Sequence, residues 1–563
     1  FLEFPENLTS LRKGPRDVQM ECREASGPHF RCRWRVNGTN LEWGDIRWLD
    51  EPRGWSQKCG WVRTSHRTQR AWRTLEKFGD PEKIPRYLLF SILNSEASLP
   101  VDEPLKEFLR QVRTFFAPPN KDKHPFLKSY QEYGVAWMRH LLIHGCHPLL
   151  ADEMGLGKTL QVLALLRHFP SIGKPDLIVC PASVTGTWES QAAEFFPELK
   201  ITPVENEISP TDEPVVFLGS YGQIRARAES QASFRFVILD EAQCIKNPDS
   251  QTALACLKLQ SQYRLALTGT PIENRFLDLW TLFQFLMPGL LGSRKAFEAQ
   301  MMEPDATDRL RDQLGPFILR RTKEEVAAEL PPKISTTVSC PMSESQKEHY
   351  EKILRGRDQL RTGEWRSLFT LLLRLRQASC DVGLLPGQAS TDVQASSKTQ
   401  WLKLKLEECV SQGRKVVIFS QFRRWLERLF PMVHDLYGGR SFTLFGDTMD
   451  RTERVNAFQT LDSPAAFLAT LRTGYAGITL HAAHTVFLLD PWWNPSVEAQ
   501  AVDRLHRIGQ RKTVWIYRLL AKDSVEEKVQ QLQQIKRGYF DAILGSTSQS
   551  EKGKWETLVR LLG

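Results

Sequence analysis

Lys158 and Thr159 are the residues whose neighbours best equip them for chemistry. They close the run Asp152-Glu153-Met154-Gly155-Leu156-Gly157-Lys158-Thr159. The apolar stretch Pro148-Leu149-Leu150-Ala151 leading in reads as a buried strand, and Leu160 to Leu166 leading out reads as an amphipathic helix. Gly155 and Gly157 keep the turn free of side chains, so backbone N–H groups can approach phosphate oxygens, and the helix N-terminus adds its dipole. In such a loop Lys158 reaches the β- and γ-phosphates and the Thr159 hydroxyl ligates Mg²⁺. ATP and Mg²⁺ are therefore the expected cofactors. Asp152 stands where the strict pattern G-x-x-x-x-G-K-[ST] has glycine.

Two further constellations suit the same chemistry. Asp240-Glu241 ends the apolar run Phe236-Val237-Ile238-Leu239, on a strand end expected to neighbour that of Lys158 and Thr159. One of the two carboxylates would hold Mg²⁺, usually through water because the ion dehydrates reluctantly, while the other orients or deprotonates the attacking water. Gln500, Arg504 and Arg507 recur at i, i+4, i+7, which predicts one helix face, with Val497, Ala501 and Ile508 anchoring another. Arginines presented to a γ-phosphate stabilise transition-state charge, worth about 10³–10⁵ in rate. A solvated acidic turn and a solvated basic face are the bland alternatives for these two patterns taken singly.

The elements that must position these residues alternate. Asp176 to Pro181, Phe236 to Leu239 and Tyr263 to Leu267 read as continuous apolar strands separated by helical patterns, which predicts a parallel sheet covered on both faces. The loop, the acidic pair and the turn Thr268-Gly269-Thr270-Pro271 would then share the carboxyl edge of that sheet. Residues 280 to about 400 read as mainly helical. A second α/β unit follows, with strands at 416–422, 466–471, 485–490 and 514–519 and no second phosphate loop.

At 563 residues the chain is too long for one core. Its net charge of +9 favours a polyanionic partner. Ten scattered cysteines without a C-x-x-C pair read as reduced buried thiols. There is no apolar run of about 18 residues, and no secretory signal is visible. An intracellular protein without a membrane partner is expected, cytoplasmic or nucleoid-associated in a prokaryote and nuclear in a eukaryote. The N-terminal region is tryptophan-rich: six of the sixteen tryptophans lie between Trp34 and Trp72. Pro52 to Leu75 holds no acidic residue, while Arg63, Arg67, Arg70 and Arg73 all fall there. Phe30 to Val36 reads as a strand, Asn37-Gly38 as a hairpin turn, and Leu105 to Phe116 as an amphipathic helix.

With these motifs in place the chain resembles a SWI/SNF-type ATPase of helicase superfamily two, most like the archaeal and bacterial members. The resemblance is carried by Asp152 to Thr159, by Asp240-Glu241-Ala242-Gln243 in its Gln-ending form, by Leu267 to Pro271, and by Asp503-Arg504-Leu505-His506-Arg507-Ile508-Gly509-Gln510. Tyr130 to Met138 resembles the family's adenine-recognition segment, with Gln131 on the base, and Asp490-Pro491-Trp492-Trp493-Asn494-Pro495 its penultimate motif. Tyr475 stands where the family has a small residue, and the sequence after Gln377 drifts from the family's helical motif.

The resemblance implies two RecA-like lobes with parallel sheets and helical insertions, preceded by a small mixed or β-rich N-terminal domain. The expected divisions are an accessory domain at 1–120, an ATP-binding lobe at 121–345, a helicase C-terminal-type lobe at 346–545 and a tail at 546–563. It implies nucleotide contacts from Gln131, Asp152, Gly155, Gly157, Lys158, Thr159, Gln243 and Gln500, and catalytic roles for Lys158, Asp240, Glu241, Arg504 and Arg507. DNA contacts are implied at Trp188, Thr473, Gly474 and Trp493. The expected function is an ATP-dependent translocase on double-stranded DNA, a monomeric motor that remodels a DNA-bound protein complex. The alternative is a strand-separating DNA or RNA helicase of the same superfamily.

Overall fold

The computed structural model describes residues 16–17, 19–25, 29–36, 39–41, 53–56, 60–63, 75, 83–95, 101–115, 124–169, 174–204, 215–227, 232–269, 276–303, 306–326, 331–356, 365–388, 392–471, 480–493, 495–507 and 510–531. The chain divides into two compact units. The first runs to Asp152 and resumes over Lys158–Arg320; the second takes Glu153–Gly157 and the chain from Arg321 onward.

The first unit opens with short strands. β1 (Arg16–Asp17) lies parallel to β6 (Gly60–Arg63), which pairs antiparallel with β5 (Arg53–Ser56). A second small sheet runs β2 (Gln19–Glu24), β3 (His29–Val36) and β4 (Thr39–Leu41), with β7 (Ile84–Pro85) antiparallel to β3. Its alternation places Met20, Cys22, Cys32, Trp34 and Val36 in the interior. The expected hairpin residues Asn37 and Gly38, and Arg67, Arg70 and Arg73, lie outside the described residues. The helix Glu103–Arg113 fits its apolar spacing: Leu105, Phe108 and Val112 are buried, and the Asp102 carboxylate accepts the Leu105 N–H at 3.2 Å as N-cap.

A seven-stranded sheet follows. Its strands are β8 (Leu149–Leu150), β9 (Asp176–Cys180), β10 (Lys200–Pro203), β11 (Val215–Ser220), β12 (Ser233–Leu239), β13 (Gln260–Leu267) and β14 (Ile318–Leu319). The order is β10-β11-β9-β12-β13-β8-β14, and every pairing is parallel. Asp176 to Cys180 are buried without interruption, as a sheet covered on both faces requires. The order corrects one expectation. Asp240 and the phosphate loop do not end adjacent strands, because β13 lies between β12 and β8. Apolar runs separated by helices dictate parallel pairing but carry no record of which strand lies beside which.

The second unit carries a six-stranded parallel sheet of β15 (Lys333–Cys340), β16 (Val416–Ser420), β17 (Ser441–Leu444), β18 (Ala466–Thr470), β19 (Thr485–Leu488) and β20 (Val514–Ala521). Its order is β15-β20-β19-β16-β18-β17. β15 falls in the stretch read as mainly helical, and pairs with β20 along all eight of its residues. Its residues are mostly exposed, so it lacks the apolar run that betrays a buried strand. One face of the sheet is packed by Trp425, Leu426, Leu429 and Val433 from the helix Arg423–Leu436, the other by Val455, Phe458, Ala501 and Leu505. The fold is thus two parallel α/β units with small, partly antiparallel sheets before them. Among the described residues no helix is long and apolar enough to cross a membrane.

Candidate nucleotide-hydrolysis site

The phosphate loop has the backbone its glycines suggest. Gly155 and Gly157 have φ of +85° and +76°, a region that side chains disfavour. Lys158 begins the helix Lys158–Arg167, and its Nζ donates to the Asp152 carbonyl at 2.7 Å. The Asp152 carboxylate is buried and accepts from Gln161 Nε2 at 3.2 Å. It braces the loop on its own helix, a use for the acid that replaces the expected glycine. Thr159 sits half-buried in the first helical turn. Gln131 is buried in the helix Ser129–Ile143, and its Oε1 accepts the Lys128 N–H at 2.9 Å, capping that helix.

The acidic pair leaves β12 in a strained turn. Glu241 has φ 49° and ψ 53°, left-handed for a residue that is not glycine. Such conformers cost about 1–3 kcal/mol and gather at functional sites. The Asp240 carboxylate accepts the Glu241 N–H at 2.9 Å on Oδ1 and the Trp188 indole N–H at 2.8 Å on Oδ2. Tyr221 donates its hydroxyl to the Asp240 carbonyl at 2.8 Å. Glu241 Oε2 accepts from Gln243 Nε2 at 2.7 Å, and Gln243 Oε1 accepts from Thr268 Oγ1 at 2.7 Å. The acidic turn is therefore wired to the end of β13. Burial, and then the Glu241 charge, push the Asp240 carboxyl up to about 6, while Trp188 and Lys158 oppose the shift.

The motif resemblance implies a DNA contact at Trp188, and the structure gives its side chain a different partner. The side chain is fully buried in the first unit with its N–H on Asp240. A tryptophan three residues into the helix Thr185–Phe195 carries no local signal of a partner 52 residues away. Thr473 and Gly474 lie outside the described residues. Trp493 is half-buried in the second unit, and the Arg376 guanidinium sits 5.2 Å from its ring centre.

The arginine pair departs from the expected helix. The helix Pro495–Asp503 stops before either arginine. Its end tightens into i to i+3 bonds, Arg504 N to Ala501 O at 3.3 Å and Leu505 N to Val502 O at 2.9 Å. Arg504 and Arg507 thus sit on a bend and not on one helical face with Gln500. That bend is clamped. Lys323 Nζ donates to Asp503 Oδ1 at 2.6 Å and to the His506 carbonyl at 2.7 Å. Gln510 Nε2 reaches the carbonyls of His481, Ala483 and Leu505. Burial, and then the adjacent Arg504 charge, press the Arg507 guanidinium down to about 10, so it stays cationic at neutral pH. Gln500 is buried, and neither end of its amide makes a hydrogen bond among the described residues. A buried amide left so is a polar group in want of a ligand or neighbour.

A phosphate loop and a paired acid at one edge of a parallel sheet, in a chain whose second parallel α/β unit carries an arginine pair, define the ATP-hydrolysing motor cores of helicase superfamily two. Residues 130–384 match the SNF2-related domain and residues 398–509 the helicase conserved C-terminal domain. The chain belongs to the SNF2-related, SWI/SNF-type ATPase family. It is 33% identical over 459 residues to a putative ATP-dependent helicase/translocase of Bacillus subtilis, covering 75% of this chain and 49% of that protein. It is 32% identical over 459 residues to the human SWI/SNF-related matrix-associated actin-dependent regulator of chromatin subfamily A member 1, covering 75% and 44%. Among solved structures it is similar to the Sulfolobus solfataricus SWI2/SNF2 ATPase core in complex with dsDNA, at 32% identity and a TM-score of 0.39, covering 76% of this chain and 95% of that one. The chain spans less than half the length of the curated relatives it matches.

Proposed function

We propose that the chain is an ATP-dependent double-stranded DNA translocase that remodels protein–DNA complexes. The observation that carries the hydrolytic half is the Asp240 carboxylate, buried at a strand end of the sheet that also launches the phosphate loop and held there by the Glu241 and Trp188 N–H groups. The relatives' names, a helicase/translocase and a regulator of chromatin, support the motor half.

In this reading Lys158 binds the β- and γ-phosphates, Glu241 orients and deprotonates the attacking water, and Arg504 and Arg507 meet the charge that spreads over the transferred phosphoryl group. Gln131, Gln243 and Gln500 contact or frame the nucleotide. The site fits Mg²⁺. A carboxylate held above its ordinary range by burial is the group a cation would return to its charged form, and Asp240 with the Thr159 hydroxyl would hold it. The ion would supply charge neutralisation along the phosphates. Double-stranded DNA fits the net charge of +9, and backbone contacts suffice for movement without base recognition. Thr473, Gly474 and Trp493 are candidates for such contacts, and the tryptophan-rich basic stretch of residues 34–75 modulates the motor without taking part in catalysis.

ATP hydrolysis measured without nucleic acid and with single-stranded DNA, duplex DNA and duplex RNA tests the proposal. Duplex DNA should stimulate most, and the stimulation should fall steeply with salt. Displacement of a triplex-forming strand should succeed and unwinding of a forked duplex should fail. The opposite pair of results would make the protein a strand-separating helicase, a reading that the word helicase in the bacterial relatives' names also favours.

A further inference from the structure

We propose that Trp188 is a positioning residue for Asp240, fixing through its indole N–H the carboxylate that takes up the nucleotide's divalent cation. The inference rests on the reading of Asp240 as the cation-holding acid.

Among the described residues, the Asp240 carboxylate accepts two hydrogen bonds, and they reach opposite oxygens: Glu241 N on Oδ1 and Trp188 Nε1 on Oδ2. One donor alone would leave the carboxylate free to turn about its terminal torsion, whose wells are broad. Two donors on opposite oxygens set its plane. Each oxygen keeps a further lone-pair site for a metal-bound water. The Glu241 donor belongs to the left-handed turn and moves with it. Trp188 belongs to a different element, the helix Thr185–Phe195 that follows β9, and so ties the acid to the neighbouring strand's connection. Indole suits this role because it donates and cannot accept, and it exchanges no proton near neutral pH. Trp188 is fully buried, and its polar contact is the bond to Asp240. The bond also favours the ionised acid, opposing the burial that raises it.

The test measures equilibrium binding of a fluorescent ADP analogue to the full chain, with and without Mg²⁺, so it needs no turnover. Trp188→Phe keeps an aromatic ring and removes the donor. It should leave Mg²⁺-free affinity unchanged and weaken the Mg²⁺ dependence by about 10–100-fold, the usual cost of losing a partner behind a metal ligand. In an Asp240→Asn background the same change should have no further effect. An unchanged Mg²⁺ dependence in Trp188→Phe, or an equal loss in the Asp240→Asn background, would overturn the positioning role. If Asp240→Asn alone left the Mg²⁺ dependence intact, the cation-site reading would fall and the inference with it. Should Trp188→Phe not fold, benzothienylalanine at position 188, which replaces the ring N–H with sulfur at equal shape, is read in the same way.

Discussion

The Lys323 ammonium lies 2.6 Å from Asp503 Oδ1 in the interior of the second unit, with the two side chains 3% and 9% exposed. The same ammonium holds the His506 carbonyl, so one cation grips the chain on both sides of Arg504. Removing it would leave Asp503 buried and unpaired, which costs about 3–5 kcal/mol. Lys323→Met should therefore lower the urea midpoint of the protein and cut hydrolysis by loosening the bend that carries Arg504 and Arg507. Adding Asp503→Asn should restore much of the stability without restoring the rate. A double variant as unstable as the single one would show that the pair is not what holds this turn.

Lys158→Ala and Glu241→Gln should leave the fold intact and remove turnover. Lys158 is half-buried at a helix start, and Glu241 sits in a turn whose backbone bonds its side chain does not make. Near-normal steady-state hydrolysis in either purified variant would remove that residue from the chemistry.

Arg507→Ala should bind ATP almost normally and hydrolyse it about 10³-fold or more slowly, because the finger role proposed for it acts mainly on the transition state. Arg504→Ala should follow in the same direction. Direct nucleotide binding beside single-turnover hydrolysis separates the two effects. Weak binding with normal turnover would contradict the assignment.

Nucleotide binding that depends on Mg²⁺ should weaken as pH falls through about 6, since burial and then Glu241 push the Asp240 carboxyl up to about 6 and the proton competes with the cation. Below that point the loss should approach about tenfold per pH unit. Glu241→Gln removes the neighbouring charge and should move the midpoint to lower pH. The stability sign follows from a folded value raised above the unfolded one. The contribution of the protonated acid is present at low pH and is lost as pH rises through about 6. A cation on the ionised acid offsets that loss. Mg²⁺ with ADP should thus raise the melting temperature more at about pH 8 than at about pH 5. A pH-independent gain would place the cation elsewhere.

Much of this was legible in the chain itself. Gly155 and Gly157 were readable because a left-handed backbone against phosphate leaves few residue choices, and β9, β12 and β16 because strands buried on both faces carry apolar residues along most of their length. Those constraints are local, and they fixed the two parallel α/β units, the phosphate loop and the acidic pair. The tertiary structure alone decided the rest. Only sheet assembly puts β13 between β8 and β12, since strand order depends on crossovers that composition does not record. β15 is silent in the sequence because an exposed edge strand needs no apolar run. The helix through Gln500 stops at Asp503, where tight i to i+3 bonds and the grip of Lys323, 180 residues away, override the favourable i, i+4, i+7 spacing. The partner of Trp188 lies 52 residues off, just past the end of β12. A side chain's hydrogen-bond partner is set by which elements pack together, and the residue types along the chain leave that open.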